Sequence, residues 1–261
     1  MSPKEIRSYR TQAIVLGHFE FGEADRILTL LSYQRGKIKA IAKGVRKIRS
    51  HKAGHLEPFT NVNLFIAKGR NLDIITQAET VNPHMGMRED LERMAFASYV
   101  VEALDRFTYE EGQNVALFRL LEETLTRLEQ QSNLTTVVHY YEVRLLDLLG
   151  FRPQLFDCID CGEDILPQDQ FFSPLVGGVV CPKCGGARAE AIPVEKDVLR
   201  YFRHLQRSNW GQIRDVIIPD HIEKKLGHLV ESYLTYLLER KLNSPEFLRE
   251  IRDQKRNQTQ Q

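Results

Sequence analysis

The sequence is organised around one stretch, Cys158-Ile159-Asp160-Cys161, which nineteen residues separate from Cys181-Pro182-Lys183-Cys184. These four cysteines are the only ones in 261 residues. Two thiolates separated by two residues can both turn toward one ion at about 2.3 Å, and a second such pair completes the tetrahedral sulfur set that suits zinc. The spacing therefore predicts one structural Zn²⁺ ion held by Cys158, Cys161, Cys181 and Cys184.

Other uses of these cysteines are less favoured. Disulfides lack support, because a chain of this length can bury a core unaided and it begins without an apolar signal peptide. A redox dithiol usually occurs once and opens a helix, whereas here Gly162 and Gly185 directly follow the two pairs. An iron–sulfur cluster uses the same ligands, and spacing alone does not exclude it. A catalytic zinc is disfavoured because four thiolates leave no position for a reacting water.

The composition indicates a globular protein whose charge is unevenly distributed. Hydrophobic residues make up 42% of the chain and charged residues 27%, which is typical of folded domains. No apolar run approaches the length that spans a bilayer, so we expect a cytoplasmic protein without membrane contact. Residues 1–82 contain fourteen Lys and Arg against seven Asp and Glu, a net charge of +7, which leaves −6 for the remainder. The basic character is thus confined to the N-terminal third.

Residues 10–80 carry the pattern of short β-strands. Apolar or alternating runs occur at 13–16, 26–31, 37–42, 61–66 and 72–75, and Gly36 and Gly44 bound the third of them. Such runs between turn residues predict strands. Five short strands within about seventy residues favour a small closed barrel, and an OB-fold is the leading candidate.

The period changes to that of helices after Pro83. Apolar residues recur at three-and-four spacing in 91–104, 117–128, 134–148, 198–205 and 222–237, with Asn133 as a helix cap and a stop at Gly150. Residues 171–180 predict a hairpin between the cysteine pairs. We therefore expect an α+β protein with an OB-fold domain at 1–82 and a helical domain at 83–253. A zinc module is inserted at about 154–190, and 254–261 form a disordered tail.

A basic run on the predicted barrel is the candidate nucleic-acid site. No acidic residue occurs between Arg26 and Glu57. Cations spaced along a strand and a loop can each neutralise a phosphate, although a solvated surface is the plainer interpretation of a charge run. The predicted DNA contacts are Arg35, Lys37, Lys39, Lys43, Arg46, Lys47, Arg49 and Lys52. Phe19, Tyr33 and Phe59 lie at strand ends, where exposure for base stacking is plausible.

The cysteine region itself is a poor site for a phosphate backbone. Between Cys158 and Cys184 one lysine, Lys183, stands against four acidic residues. No phosphate-binding glycine loop, H-E-x-x-H or G-x-S-x-G motif occurs in the chain. We therefore interpret the cysteines as a structural clip, and as a surface that partners can dock on, and expect no enzymatic activity.

Five local patterns, taken together in this order, resemble the RecO family of bacterial DNA repair proteins over most of the chain. They are AIVL at 13–16, GEADRILTL at 22–30, AKGVR at 42–46 with LEPF at 56–59, YEVRLLDLLGFRP at 141–153, and FSP at 172–174 with GGVVC at 177–181. The resemblance implies an N-terminal OB-fold and a helical domain that contains the zinc module.

The same resemblance implies a non-enzymatic role in the RecF pathway. Expected activities are the binding of single- and double-stranded DNA and the annealing of complementary strands. With RecR, such a protein helps to load RecA onto DNA coated by single-strand-binding protein, and we expect it near the nucleoid. Two rival functions remain open: a zinc-stabilised protein–protein adaptor without direct DNA contact and, less favoured, a zinc-dependent nuclease, for which the metal site offers no open position.

Overall fold

The computed structural model describes residues 7–110, 112, 114–239, 242–246, 248 and 250–251. Packing divides them into two compact units. Unit 1 contains the described residues up to Gln130 and those from Asn243 onward, and unit 2 runs from Gln131 to Leu242. This division differs from the predicted boundary after residue 82, because two long helices that follow it pack in the same unit as the barrel. The predicted domain limits stay a prediction, and the predicted tail at 254–261 lies outside the described residues.

Five strands in unit 1 form a closed barrel in the order β1-β2-β3-β5-β4, with β4 pairing back to β1. The strands are β1 (Ser8–Phe21), β2 (Asp25–Ser32), β3 (Gly36–Ala42), β4 (Asn61–Ala67) and β5 (Asp73–Asn82). All neighbours are antiparallel except β3 and β5, which pair in parallel. This order is that of an OB-fold, and the predicted five-stranded barrel is confirmed.

Strand β1 is much longer than the apolar run that predicted it. Its residues Ala13 and Ile14 pair with both β2 and β4, and the register shifts between Val15 and Gly17. A strand that serves two neighbours must bend, and a bulge provides the bend. Alternate residues of the strands, such as Val15 and Leu28, point into one buried core.

Three α-helices, together with a short 3-10 helix at Ala53–His55, complete the described part of unit 1 before residue 131. The α-helices are α1 (Met85–Arg88), α2 (Leu91–Phe107) and α3 (Val115–Gln130). The side chain of Asp90 accepts hydrogen bonds from two backbone N–H groups and caps α2. The Glu102 carboxylate on α2 also binds residues much later in the chain. It accepts hydrogen bonds from the backbone N–H groups of Asn243 and Ser244 at 2.8–3.0 Å and from the Ser244 hydroxyl at 2.5 Å.

Unit 2 combines helices with a small sheet. Its elements are α4 (Leu134–Leu148), β6 (Gln170–Ser173), β7 (Gly178–Val180), α5 (Pro182–Gly185), β8 (Ile192–Val194), α6 (Lys196–Arg207), α7 (Trp210–Ile213) and α8 (Asp220–Leu238). The predicted hairpin is confirmed as β6–β7, and Asn133 caps α4 as predicted. The sequence did not predict β8, a three-residue strand containing a proline that pairs with β6.

The core of unit 2 joins this sheet to the helices. Phe172 on β6 is fully buried, and its ring lies 6.4 Å from that of Phe202 on α6 and 5.3 Å from that of Tyr233 on α8. Within the described ranges, no helix of either unit has the length and apolar character needed to cross a bilayer.

Candidate metal centre and nucleic-acid interface

The four cysteines converge at one point of unit 2. Their sulfur atoms all lie within 4.8 Å of one another, and the Sγ atoms of Cys161 and Cys181 are 3.9 Å apart. A tetrahedral site with zinc–sulfur bonds of about 2.3 Å places each sulfur pair about 3.8 Å apart. The structure therefore brings together all four predicted ligands, and they form a possible metal site.

Each cysteine pair lies on a tight turn that ends in a glycine. The N–H of Gly162 donates to the carbonyl of Cys158, and the N–H of Gly185 donates to that of Cys181, both at 2.8 Å. Gly162 has a φ of +74°, which disfavours other residues. A Cβ at Gly185 would lie 2.5 Å from the Cδ2 atom of Phe171. The glycines that follow the cysteines thus permit the turns that aim the sulfurs.

The electrostatics of the turns favour a thiolate at Cys158. Burial raises its pKa, but the backbone N–H groups of Cys181, Cys161 and Asp160 outweigh that effect and bring the pKa to about 6. The Cys181 N–H lies 3.3 Å from the sulfur of Cys158. Four sulfur donors this close together fit a soft divalent metal and leave no open position on it.

Arg188, which no sequence motif singles out, stabilises the outside of the cysteine site. The Arg188 guanidinium binds both carboxylate oxygens of Asp160, at 2.6 and 2.8 Å, and Glu190 at 3.0 Å. These hydrogen bonds raise the pKa of Arg188. The pairing ties the first cysteine turn to the segment before β8. In the sequence, the only signal of this pair is Asp160 inside the first cysteine motif, because Arg188 lies 28 positions away.

The basic loop, defined as residues 43–52, is fixed against the turn between β1 and β2. The N–H of Arg46 donates to the carbonyl of Ala24 at 3.0 Å, and the N–H of Gly44 donates to the Asp25 carboxylate at 2.7 Å. Val45 is buried in the barrel core. The loop and the β1–β2 turn therefore form one continuous surface.

Lys37, one of the predicted DNA contacts, is committed to an internal role. Its ammonium group donates to the carbonyls of Asp105 and Thr108, at 2.6 and 2.8 Å, and lies 2.9 Å from the Asp105 carboxylate. These acceptors end helix α2, where a cation is favourable. Two of its three N–H donors are used by the carbonyls, and the Asp105 carboxylate neutralises its charge, so it is poorly placed to bind a phosphate.

Lys52 is similarly engaged. Its ammonium group donates to the backbone carbonyls of Ile75 and Lys43, at 3.0 and 3.2 Å. Burial lowers its pKa. These bonds stabilise the closure of the basic loop on β5.

Three further predicted contacts have exchangeable partners. Lys39 lies 2.6 Å from Glu110 and Arg46 lies 3.1 Å from Glu20, both as solvent-exposed ion pairs. Arg35 stacks 4.0 Å from the ring centre of Tyr9. Exposed pairs contribute little to stability, so a phosphate can compete for these cations.

The remaining three predicted contacts, Lys43, Lys47 and Arg49, are exposed on the basic loop. Among the described residues, none of their side chains has an ion-pair or hydrogen-bond partner. They are the cations most available to an external anion.

The aromatic residues of the barrel likewise divide into exposed side chains and side chains that the fold packs or buries. Phe19 and Phe21 are 54% and 51% exposed and lie on one face of β1 as it enters the β1–β2 turn. Tyr33 packs edge-on against Phe118 at 5.3 Å. The exposure suggested for Phe59 is wrong, since its ring is buried and its left-handed backbone, with a φ of +69°, turns it into the core.

Comparisons with known proteins agree on one family. Family models described as Recombination protein O N terminal and Recombination protein O C terminal match residues 6–84 and 88–246. The DNA repair protein RecO of Roseiflexus sp. (strain RS-1) is 37% identical over 246 residues, which cover 94% of this chain and 87% of that protein. That of Pelotomaculum thermopropionicum is 36% identical over 243 residues, 93% and 94% of the two chains. These matches cover almost the whole chain and agree with its barrel, its helical unit and its cysteines, so the chain belongs to the RecO family of DNA repair proteins.

Proposed function

We propose that this chain is a non-enzymatic recombination mediator that binds single- and double-stranded DNA and anneals complementary strands. The observation that carries this proposal is the surface formed by the basic loop and the β1–β2 turn. It combines three exposed cations that have no partner among the described residues with two exposed rings on an OB-fold barrel. OB-folds of this kind bind single strands through a cationic groove and aromatic platforms.

We assign the phosphate contacts first to Lys43, Lys47 and Arg49. Arg35, Lys39 and Arg46 join them where a phosphate displaces their present partners. Lys37 and Lys52 support the surface from within. Because such contacts address the backbone and the faces of bases, binding is strong at low salt and independent of sequence.

The partners follow from the family and not from any contact in this structure. Membership in a family of DNA repair proteins supports action with RecR, which helps to load RecA on DNA coated by single-strand-binding protein. It also supports a cytoplasmic location near the nucleoid. No residue of this chain is assigned to either protein partner.

We further propose that the bound metal is one structural Zn²⁺ ion. Cys158, Cys161, Cys181 and Cys184 would hold it, because four thiolates at these distances match its preferred geometry. The ion would join two segments of unit 2 that are far apart in sequence. With four sulfur ligands it would supply no reaction step, in keeping with a protein that is not an enzyme.

The DNA-binding surface is tested by removing its free cations. The loop variant combines Lys43→Ala, Lys47→Ala and Arg49→Ala. A control with the same loss of charge combines Arg7→Ala, Arg106→Ala and Arg119→Ala, three exposed residues of unit 1 outside the loop. Affinity for labelled single strands is measured across a salt series, together with annealing of complementary strands in the presence and absence of single-strand-binding protein.

The loop variant should bind on the order of tenfold more weakly and show a salt slope that is less steep by about 2, since each single-strand phosphate contact contributes about 0.7. It should also anneal more slowly than the control. Equal affinity and salt slope in both variants would contradict a DNA-binding loop. Wild-type protein that binds no DNA would favour the adaptor, and metal-dependent cleavage of the strands would favour the nuclease.

A further inference from the structure

A groove in unit 2 carries a row of cations that the proposed function does not use. It encloses about 570 Å³ beside α6, between that helix and the segment 166–168 that follows the first cysteine turn. Leu166, Pro167 and Leu199 supply an apolar wall. The charged lining comes from Lys196, Arg200, Arg203 and Arg207.

The four cations follow the helical repeat. Positions 196, 200, 203 and 207 fall on one face of α6 and span about 16 Å of helix at 1.5 Å per residue. Lys196, Arg200 and Arg207 are exposed, and Arg203 is half-buried. The row is therefore open to solvent along its length, as a binding surface for an extended molecule must be.

Two of the guanidinium groups are held in place by the segment that leads into the first cysteine. The Arg207 and Arg203 groups lie 3.6 and 5.1 Å from the ring centre of Phe156. The Nε of Arg203 donates to the carbonyl of Leu155 at 2.7 Å. Arginines fixed in this way lose little conformational entropy when they bind an anion.

The positive charge of the groove is poorly compensated. Of the described residues that line it, Asp197 is the only carboxylate, 3.5 Å from Arg200. The Nη2 atom of Arg203 has no hydrogen-bond partner among the described residues. Burial and the neighbouring Arg207 lower the pKa of Arg203, and the attraction of Asp157 offsets this only in part. An anion in the groove would relieve this repulsion.

We propose that this groove binds the phosphate backbone of a nucleic-acid strand, as a second site in addition to the basic loop. The proposal rests on the proposed function, because it gives the same DNA-binding protein a second strand site. Planar guanidinium groups pair well with phosphate oxygens, and a regular row of cations suits a polymer with one charge per unit. The apolar wall gives the faces of unstacked bases a surface to contact.

A chain with two separate backbone sites holds two strands at once, which is what the annealing of complementary strands requires. The second strand site is in a different compact unit from the first. Loss of the groove should therefore reduce annealing more than it reduces the binding of one strand.

The test counts the strands bound by each chain. The groove variant combines Lys196→Ala, Arg200→Ala and Arg207→Ala, and leaves Arg203 in place because its hydrogen bond supports Leu155. The matched control combines Lys183→Ala, Arg214→Ala and Lys224→Ala, three exposed cations of the same unit that do not line the groove. A strand of thymidines of about eight nucleotides, within the span of one barrel site, is titrated at low salt by calorimetry. Thermal unfolding confirms that each variant is folded, and should the groove variant not fold, Arg200→Gln with Arg207→Gln replaces it.

Wild type and control should bind two strands per chain, and the groove and loop variants one each. The second binding step, present in wild type and control and absent in the groove variant, should itself have a salt slope of about −2 or steeper, since each phosphate contact contributes about 0.7. A groove variant that still binds two strands overturns the proposal. One strand per wild-type chain, lost only in the loop variant, overturns the second site and leaves the proposed function standing, whereas no binding at all removes both. If the groove variant keeps both strands but loses binding to polyglutamate, the groove binds an acidic peptide instead, and the proposal is wrong.

Discussion

The basic loop rests on the core of a closed barrel, whereas the groove beside α6 rests on the segment that leads into the cysteines. In the loop, Val45 is buried with the barrel residues and backbone hydrogen bonds to the β1–β2 turn fix the chain. In the groove, Phe156 and the carbonyl of Leu155 position two arginines, and Cys158 follows immediately. The first surface is held by packing, and the second depends on a site that a metal would complete.

The same contrast applies to single cations. Lys37 and Lys47 are ten positions apart in one basic run. The ammonium group of Lys37 binds the carbonyls at the C-terminal end of helix α2, whereas the side chain of Lys47 is exposed to solvent. The number of cations in a segment therefore does not measure its capacity for phosphates. What decides that capacity is how many of the donors the fold has already used.

Metal removal should give the largest difference between the two surfaces, because it should destabilise the groove and leave the basic loop intact. Chelation, or Cys161→Ser, should remove on the order of 10 kcal/mol of metal-binding free energy, because structural zinc sites contribute directly to folding. Hydrogen exchange should then rise in residues 154–190 and in α6 and stay unchanged in β1 to β5. Glu163→Gln, an exposed change in the same turn, is the control. Hydrogen exchange that rises equally in the barrel would contradict the claim that only the groove depends on the metal. Purified protein with less than about half an equivalent of zinc would contradict it as well.

Lys37→Met should lower the free energy of unfolding by about 2 kcal/mol, since it leaves two carbonyls without their hydrogen-bond donor and the Asp105 carboxylate without its ion-pair partner. Lys47→Met should change it by less than about 0.5 kcal/mol, as expected for an exposed side chain. The order should reverse for DNA affinity, which is measured at a temperature where both variants are folded. A Lys37 variant that is stable but binds DNA poorly would show that Lys37 contacts phosphate after all.

Phe21→Ala should weaken single-strand binding by about 1 kcal/mol, roughly fivefold, through loss of one stacking platform. Duplex affinity should change less, because the bases of a duplex are already stacked on one another. Tyr109→Ala provides the matched control, since Tyr109 is 87% exposed in the same unit. Similar losses for both variants would remove the β1–β2 turn from the DNA surface.

Phe156→Leu should have the smallest effect, a two- to fivefold loss of affinity at the groove, because cation–π contacts of exposed arginines contribute about 0.5–1 kcal/mol. Phe156→Tyr keeps the aromatic face and should bind as the wild type does. Binding by the basic loop, followed in the groove variant described above, should not respond to either change. A Leu variant with unaltered affinity would mean that the ring does not position the arginines.

The sequence predicted what is decided locally. Alternation of apolar residues gave the five strands, helical spacing gave the long helices, and two short motifs gave the four sulfur ligands, which the structure brings together. Long-range partners were not visible, because Asp105 and Thr108 lie about seventy positions beyond Lys37. The burial of Phe59 likewise depends on a backbone conformation that its residue type does not favour.

The groove is a different case, because its signal was present in the sequence. The helical repeat predicts that Val198, Leu199, Phe202 and Leu205 form the buried face of a helix, and they are buried. The cations at 196, 200, 203 and 207 occupy the opposite side with the same repeat. Their meaning depended on Phe156 and on the wall at 166–168, which only folding brings to α6.

The bond network at Glu102 has a consequence for how the protein is made. Its partners Asn243 and Ser244 lie 141 and 142 positions later in the chain, so the ribosome reaches them roughly seven to thirty seconds after Glu102, at 5–20 residues per second. The barrel strands are synthesised early and can pair while the rest of the chain is still emerging. Unit 1, however, is finished only after all of unit 2 has been translated. A messenger RNA truncated within unit 2 would therefore yield a protein with the barrel and α2, in which the Glu102 carboxylate lacks Asn243 and Ser244. Cellular proteases can recognise such a defect.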